Sequence, residues 1–159
     1  MIKLRALPLL SLAALLLASV VHAADTPRRI VSTTPSVTGI LLAMNAPLIA
    51  TAATTPSRLS DAKGFFTQWA DVADQRGVQV LYSNLLFDIE AVIGQDPDLL
   101  VLSATGADSV IQHQGELQAQ SINTTVVDYS NQSWQQMAVE LGKVCLLYTS
   151  PSPRDLSTS

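Results

Sequence analysis

The sequence predicts an α/β fold in which a parallel sheet carries helices on both faces. After residue 23, short apolar or β-branched runs alternate with helical patterns, and no hairpin-type turn joins two of these runs. Residues 99–102 form a continuous apolar run, which is typical of a strand that is buried on both faces. We therefore expect parallel strands joined by right-handed crossovers.

The N-terminus precedes this pattern and resembles a secretory signal peptide. Residues 1–23 contain a basic start at Lys3 and Arg5, an apolar run over residues 6–21, and a V-x-A site that ends at Ala23. A membrane anchor is the alternative, but the apolar core is shorter than the roughly 20 residues that a bilayer requires. We expect cleavage after Ala23 and an exported product that does not span the membrane.

Five strands are expected in the remaining chain, at residues 30–33, 47–51, 78–82, 99–102 and 124–127. The carboxyl ends of parallel strands meet at one edge of the sheet, and ligands of open α/β sheets bind there. The segments predicted at this edge are residues 34–36, 54–58, 83–84, 103–106 and 128–133. They are rich in hydroxyl and amide side chains and poor in charge, with Arg58 as the exception.

Helices are expected in the intervals. The first follows Pro35, and the second, over residues 64–74, is stopped by Gly77. Asp88 occupies an N-cap position before a third helix, and a fourth is expected around residues 110–117. The sequence from Ser133 to Gln136 has the S-x-x-Q form of a capping box at the start of a fifth.

Charge and motifs argue against several classes of function. Removal of the leader changes the formal net charge from −4 to −6, which does not favour nucleic acid as a partner. Phosphate-binding glycine loops and a nucleophile elbow are absent from the sequence. His113, the one histidine after the leader, is expected to be a solvated helical residue, and Asp96 and Asp98 are expected to serve a turn. We therefore expect no enzymatic activity, no metal site and no cofactor.

Many short segments, in order, resemble a known family. They are Arg29 to Thr33, Val37 to Ala43, Ala46 to Ala50, Ala53 to Pro56, Gly64-Phe65, Gln68-Trp69, Ser103 to Gly106, Asp108-Ser109 and Ser133-Trp134. Together they are similar to the periplasmic binding proteins that serve ABC importers of iron siderophores and vitamin B12. This resemblance, over about residues 28–144, implies two α/β lobes joined by a long helix, with ligand held between them. Residues 24–144 would form the N-terminal lobe, and the β-hairpin found before the first strand in relatives is missing.

The resemblance also implies a ligand and a site. An iron tris-catecholate is a bulky trianion, so arginines and hydrogen-bond donors are the expected contacts, with any iron arriving inside the siderophore. Arg58 falls where a relative has a cleft arginine. The other candidates are Thr34, Ser36, Tyr82, Ser103 and Thr105. Glu90 corresponds to the family's glutamate that docks into the inner-membrane permease, and the protein is expected to be a monomer.

The C-terminal residues 145–159 do not continue the pattern. They are rich in Ser, Thr and Pro, contain the lone Cys145, and resemble one reading frame of a sequencing adapter. We expect a disordered, artefactual tail that does not continue the apolar stripe of the preceding helix.

Three other functional hypotheses stay open at this point. The chain could be a member of the same family that binds cobalamin, haem or another siderophore. It could also be a small exported α/β enzyme, or a fragment without function.

Overall fold

The computed structural model describes residues 26–145, so the predicted signal peptide and residues 146–159 of the predicted tail lie outside the described range. A five-stranded parallel sheet with helices on both faces confirms the predicted fold class. The strands are β1 (Ile30–Ser32), β2 (Leu48–Thr51), β3 (Gln79–Val80), β4 (Leu99–Ser103) and β5 (Thr124–Val127). The helices are α1 (Pro35–Ala43), α2 (Ala70–Gln75), α3 (Ile89–Gly94), α4 (Gln114–Ala119) and α5 (Trp134–Cys145).

The strand order β3-β2-β1-β4-β5 places a switch point between β1 and β4. From β1 the chain proceeds through α1 to β2 on one side, and from β4 it proceeds through α4 to β5 on the other. The connections that leave the carboxyl ends of β1 and β4 therefore diverge. In open α/β sheets this divergence creates the crevice in which ligands bind.

Two apolar clusters cover the two faces of the sheet. Because side chains alternate along a strand, Ile30 of β1 packs toward α1, α2 and α5, whereas Val31 packs toward α3 and α4. All five residues of β4 are buried, which confirms the prediction of a strand covered on both faces. The sheet is thus the central layer of three, and its two faces are buried beneath helices.

The predicted helix caps are present. Asp88 Oδ1 accepts a hydrogen bond from the Ala91 amide at 3.0 Å. At the start of α5, the Ser133 amide donates to Gln136 Oε1 at 2.8 Å, and the Gln136 amide donates to Ser133 Oγ at 3.2 Å. These contacts satisfy backbone donors that a helix start leaves unpaired.

Asp98 also has its predicted structural role. Its carboxylate accepts from the backbone amides of Arg28 and Arg29 at 2.8 and 3.0 Å, at the end of the sheet opposite the predicted ligand edge. Asp96 lies in the preceding turn with φ of 47°.

The second predicted helix is much shorter than expected. Residues 64–69 form an irregular segment, because Gly64 has φ of +88° and a side chain there would meet the Thr54 carbonyl oxygen. Asp61 Oδ1 accepts from the Lys63 and Phe65 amides, which holds the segment in turns rather than in a helix. The third strand is also shorter, since β3 lies at the edge of the sheet and pairs only with β2.

Two further expectations are corrected. The fourth helix divides into a 3₁₀ turn (Ile111–His113) and α4, and His113 lies at their junction. Its ring is only partly exposed and stacks on Phe87 with centroids 4.5 Å apart, so it is not a freely solvated histidine. Cys145 is fully buried and continues the stripe of Met137 and Leu141, whereas the sequence predicted that none of residues 145–159 would. Burial raises the pKa of its thiol to about 11.

Candidate functional site

The connections after the five strands meet at one edge of the sheet, which we call the polar edge. It comprises residues 33–36 after β1, 52–69 after β2, 81–88 after β3, 104–110 after β4 and 128–133 after β5. All five strands run parallel, so their carboxyl ends lie side by side. The ligand-binding residues predicted from the sequence all belong to this edge or to the strand end beneath it.

Thr34 and Ser36 both contact Asp108, which was not among the site residues predicted from the sequence. Thr34 is buried, and its hydroxyl donates to Asp108 Oδ2 at 2.6 Å. Ser36 is half-buried, and its backbone amide approaches the same oxygen at 3.3 Å. The Thr34 hydroxyl is thus engaged by Asp108 within the protein. Its role as a ligand contact stays a prediction.

Ser103 and Thr105 belong to a second polar group in the connection after β4. Ser103 is buried, and its hydroxyl donates to the Thr105 carbonyl oxygen at 2.6 Å. The Thr105 hydroxyl donates to Asp128 Oδ1 at 3.0 Å, which ties this connection to the one after β5. Of the two hydroxyls, that of Thr105 is the less buried, and contact of either with a ligand stays a prediction.

Arg58 is exposed in a turn of the connection after β2. Within residues 26–145, its side chain takes part in no recorded hydrogen bond or ion pair. Among the described arginines, Arg29 and Arg76 instead donate to backbone carbonyl groups. The Arg58 guanidinium is thus open to solvent at the polar edge, and its contact with an anionic ligand stays a prediction.

Tyr82 is buried, which makes it a less open surface than the sequence predicted. Its hydroxyl lies 3.5 Å from the Thr33 carbonyl oxygen, and its ring meets Phe87 edge-to-face. Burial, followed by the negative charge of Asp108, raises the pKa of the Tyr82 phenol well above its ordinary value.

Glu90, the predicted permease contact, is exposed in the first turn of α3.

Sequence reasoning missed the contact partners of Asp108. This carboxylate is 5% exposed, and its Oδ1 accepts from the Tyr129 hydroxyl at 2.7 Å. Burial, together with the hydrogen bond to Asp108 and the charge of that residue, raises the pKa of Tyr129. An acidic residue in a short connection next to a glycine is a weak signal, because such residues usually serve local turns.

An apolar groove of about 940 Å³ adjoins the polar edge at Ser36 and Tyr129. It lies between α1 and α5, and the side chains of Trp69 and Trp134 contribute to its walls. Trp69 is almost fully buried and belongs to the core, whereas Trp134 is 58% exposed. Gly39 permits this packing, since a Cβ there would lie 2.9 Å from the Trp69 ring.

Metal coordination and membrane insertion find no support in the described part of the chain. Residues 26–145 contain no group of three or more His, Cys, Asp or Glu side chains that could hold a metal ion. No helix within the same residues combines the length and apolar character needed to cross a bilayer. Among the described residues, the polar edge presents hydroxyl groups, the exposed Arg58 guanidinium, and Lys63, which pairs with Asp74.

Comparison with known proteins identifies relatives that share this lobe. No protein-family model matches the chain. The chain is 44% identical over 119 residues to the ferric enterobactin-binding periplasmic protein FepB of Escherichia coli O6:H1. The alignment covers 74% of this chain and 37% of FepB, so the chain spans little more than a third of that relative.

Solved structures agree with this relationship. The crystal structure of holo-ViuP is also 44% identical, with a TM-score of 0.68 over 76% of this chain and 38% of ViuP. The periplasmic catecholate-siderophore binding protein VctP from Vibrio cholerae has a TM-score of 0.56 over 77% of this chain and 42% of VctP. At 20% identity, VctP supports the fold alone.

Proposed function

We propose that this chain, a partial-length relative of the periplasmic siderophore-binding proteins, forms the N-terminal lobe of the solute-binding component of an ABC importer. In this proposal the protein captures a ferric siderophore of the catecholate type and delivers it to an inner-membrane permease. The observation that carries the proposal is the 44% identity to a ferric enterobactin-binding protein over 119 residues, which is 74% of this chain. The relatives named above are described by their binding or by their bound state, and we propose no enzymatic step here.

The geometry of the polar edge is compatible with this ligand. A ferric tris-catecholate carries three negative charges and presents aromatic edges to its surroundings. Arg58 supplies an exposed cation, and the half-buried Thr105 and Ser36 supply hydroxyl groups on the same edge of the sheet. Charge-assisted hydrogen bonds of this kind contribute about 1.5–3 kcal/mol each, so a few contacts account for useful affinity.

The domain organisation follows as part of the proposal. Residues 1–23 would direct export and be removed, and residues 24–144 would form the first lobe. A second lobe would supply the opposite wall of the cleft, as the partial coverage of both relatives suggests. The origin of residues 145–159 in an adapter sequence stays a prediction, which the genomic sequence beyond codon 144 tests directly.

A ligand panel tests the proposed function. The full-length gene product, purified from the periplasm, is titrated with ferric enterobactin, a ferric hydroxamate, haem and cobalamin, with tryptophan fluorescence as the signal. We expect saturable quenching at micromolar or lower concentration with ferric enterobactin and much weaker responses to the others. A response confined to haem or cobalamin would contradict the catecholate assignment, and no response to any ligand would contradict capture itself.

A further inference from the structure

The crevice between β1 and β4 is bridged by a single buried carboxylate. Asp108, in the connection after β4, accepts a hydrogen bond from the Thr34 hydroxyl in the connection after β1. These two connections diverge from the switch point of the sheet, toward opposite faces. The start of the connection after β1 is joined to β4 by Thr33, whose amide and hydroxyl donate to the Val101 carbonyl oxygen at 3.0 and 3.2 Å. Asp108 joins the two connections farther from the strands.

The same carboxylate reaches a third connection. Tyr129, after β5, donates its hydroxyl to Asp108 Oδ1 at 2.7 Å, while Oδ2 is occupied by Thr34 and the Ser36 amide. Three donors from the connections after β1 and β5 thus converge on both oxygens of one side chain. Buried charges are retained in proteins when they are hydrogen-bonded in this way, because an unpaired one is costly.

The backbone around Asp108 is adapted to this arrangement. Gly106 has φ of +91°, and a Cβ at that position would lie 1.4 Å from the Tyr129 hydroxyl oxygen. Only glycine therefore lets the tyrosine pass over the connection and reach the carboxylate. Thr34, Gly106, Asp108 and Tyr129 form one contact group, which we call the edge clamp.

We propose that Asp108 is a positioning residue for ligand capture: it holds the connections after β1, β4 and β5 at the spacing that the bound siderophore requires. This inference rests on the proposed function for its ligand. Asp108 itself does not touch the ligand, because its side chain is buried and both of its oxygens are occupied by protein donors. It acts through Ser36, Thr34 and the residues that follow Gly106.

The alternative is that the charge of Asp108 matters only through the field that it exerts on an anionic ligand. The two explanations predict opposite results for Asp108→Asn. An asparagine accepts through Oδ1 only. If its NH₂ group faces the Ser36 amide, two donors meet, and if it faces Tyr129, the hydroxyl must turn from donor to acceptor and the charge-assisted hydrogen bond is lost. If the clamp matters, one connection is held less firmly and binding weakens, whereas loss of a repulsive charge alone would tighten binding.

Affinity measurements on the full-length gene product test the proposal, with ferric enterobactin as the probe and tryptophan fluorescence as the signal. We expect Asp108→Asn to weaken binding about tenfold and Tyr129→Phe to weaken it about threefold or more. The double variant is expected to lose less than the sum of the two single losses, because both changes act on contacts of the same carboxylate. Unchanged or tighter binding in Asp108→Asn, or additive losses in the double variant, would overturn the proposal.

Asp98→Asn is the matched control. Asp98 also joins two segments through backbone amides, but at the opposite end of the sheet. This variant is expected to lower the melting temperature and to leave affinity unchanged, so an equal loss of affinity in Asp98→Asn would overturn a local role for Asp108.

Hydrogen exchange of the ligand-free protein supplies a readout that does not depend on binding. Asp108→Asn and Tyr129→Phe should accelerate exchange at residues 34–36 and 128–130, and Asp98→Asn should not. Absence of any binding by the unmodified protein contradicts the proposed function, and exchange then decides by itself whether Asp108 holds the connections. If Asp108→Asn fails to fold, Tyr129→Phe decides in both assays, since it removes one hydroxyl and retains the ring.

Discussion

Arg58 is the one residue of the predicted site whose charge faces outward without a recorded protein partner among residues 26–145. Replacement of Arg58 by alanine should therefore cost little stability and much affinity. Loss of a charge-assisted hydrogen bond corresponds to about a tenfold weaker affinity for ferric enterobactin, with a smaller loss at high salt. Fluorescence titration of the full-length protein at two ionic strengths measures both effects.

Arg28→Ala is the control for this prediction. Arg28 is likewise exposed, but its backbone amide contacts Asp98 at the other end of the sheet. Its replacement should leave affinity unchanged at both ionic strengths. An Arg58→Ala variant that binds as tightly as the unmodified protein would remove Arg58 from the site.

Gly106 carries a prediction about stability. Gly106→Ala should destabilise the protein by about 1–3 kcal/mol, since alanine disfavours a positive φ and its Cβ would displace Tyr129. Gly115→Ala in α4 is the matched control, because a Cβ at Gly115 meets no atom within 4 Å. That change should be neutral or stabilising by up to about 1 kcal/mol. Urea unfolding of both variants measures the difference, and equal stabilities would contradict the steric argument.

At the scale of single residues, the sequence predicted polarity at the edge but not its connectivity. Thr34, Ser103 and Thr105 were identified because they follow predicted strands in order along the chain. Their partners Asp108 and Asp128 are far away in sequence, and only the pairing of β4 with β1 and β5 brings them into contact. A single sequence contains no signal for such contacts.

At the scale of secondary-structure elements, the start of a helix was predictable where a local capping motif determines it. The cap at Asp88 and the capping box at Ser133 are both present, because each depends on residues three positions apart. The second helix was overestimated, since the apolar spacing of residues 64–74 suits a helix while Asp61 and Gly64 enforce turns through contacts outside that window. Tertiary contacts therefore override periodicity in that segment.

The connection after β5 carries a prediction about pH. Hydrogen bonds from Ser130, then from Asn131 and Thr105, lower the pKa of Asp128 from 3.8 to about 2. A carboxylate with a lowered pKa stabilises the folded state above its ordinary pKa, and this contribution is lost as the pH falls from about 4 to about 2. The stability difference between the unmodified protein and Asp128→Asn should therefore shrink over that interval.

Urea unfolding at about pH 5 and at about pH 2.5 measures this difference. Asp71→Asn is the control, because Asp71 is an exposed carboxylate of α2 that lies outside the polar edge. A difference between Asp128→Asn and the unmodified protein that stays constant across the two pH values would contradict the assigned hydrogen bonds.

For the whole molecule, the proposed function assigns ligand capture and permease contact to two separate surfaces of the lobe. The polar edge would hold the ligand with the help of a second lobe, and the outer surface at α3 would contact the permease. Glu90 lies in the first turn of α3, exposed, on the sheet face opposite α1 and α5. A charge on that surface can affect delivery without affecting capture.

Glu90→Arg tests this division. Reversal of the charge should remove most of the uptake of ferric enterobactin by cells that depend on this protein, because the resemblance implies that the permease receives an acidic side chain at this position. The affinity of the purified protein for the ligand should not change, since Glu90 contacts no residue of the edge clamp. Asp71→Arg is the control and should preserve uptake, because Asp71 is exposed on α2, across the sheet from α3 and outside the polar edge. Normal uptake by Glu90→Arg would exclude docking through this residue, whereas loss of both uptake and affinity would indicate that the change damages the fold.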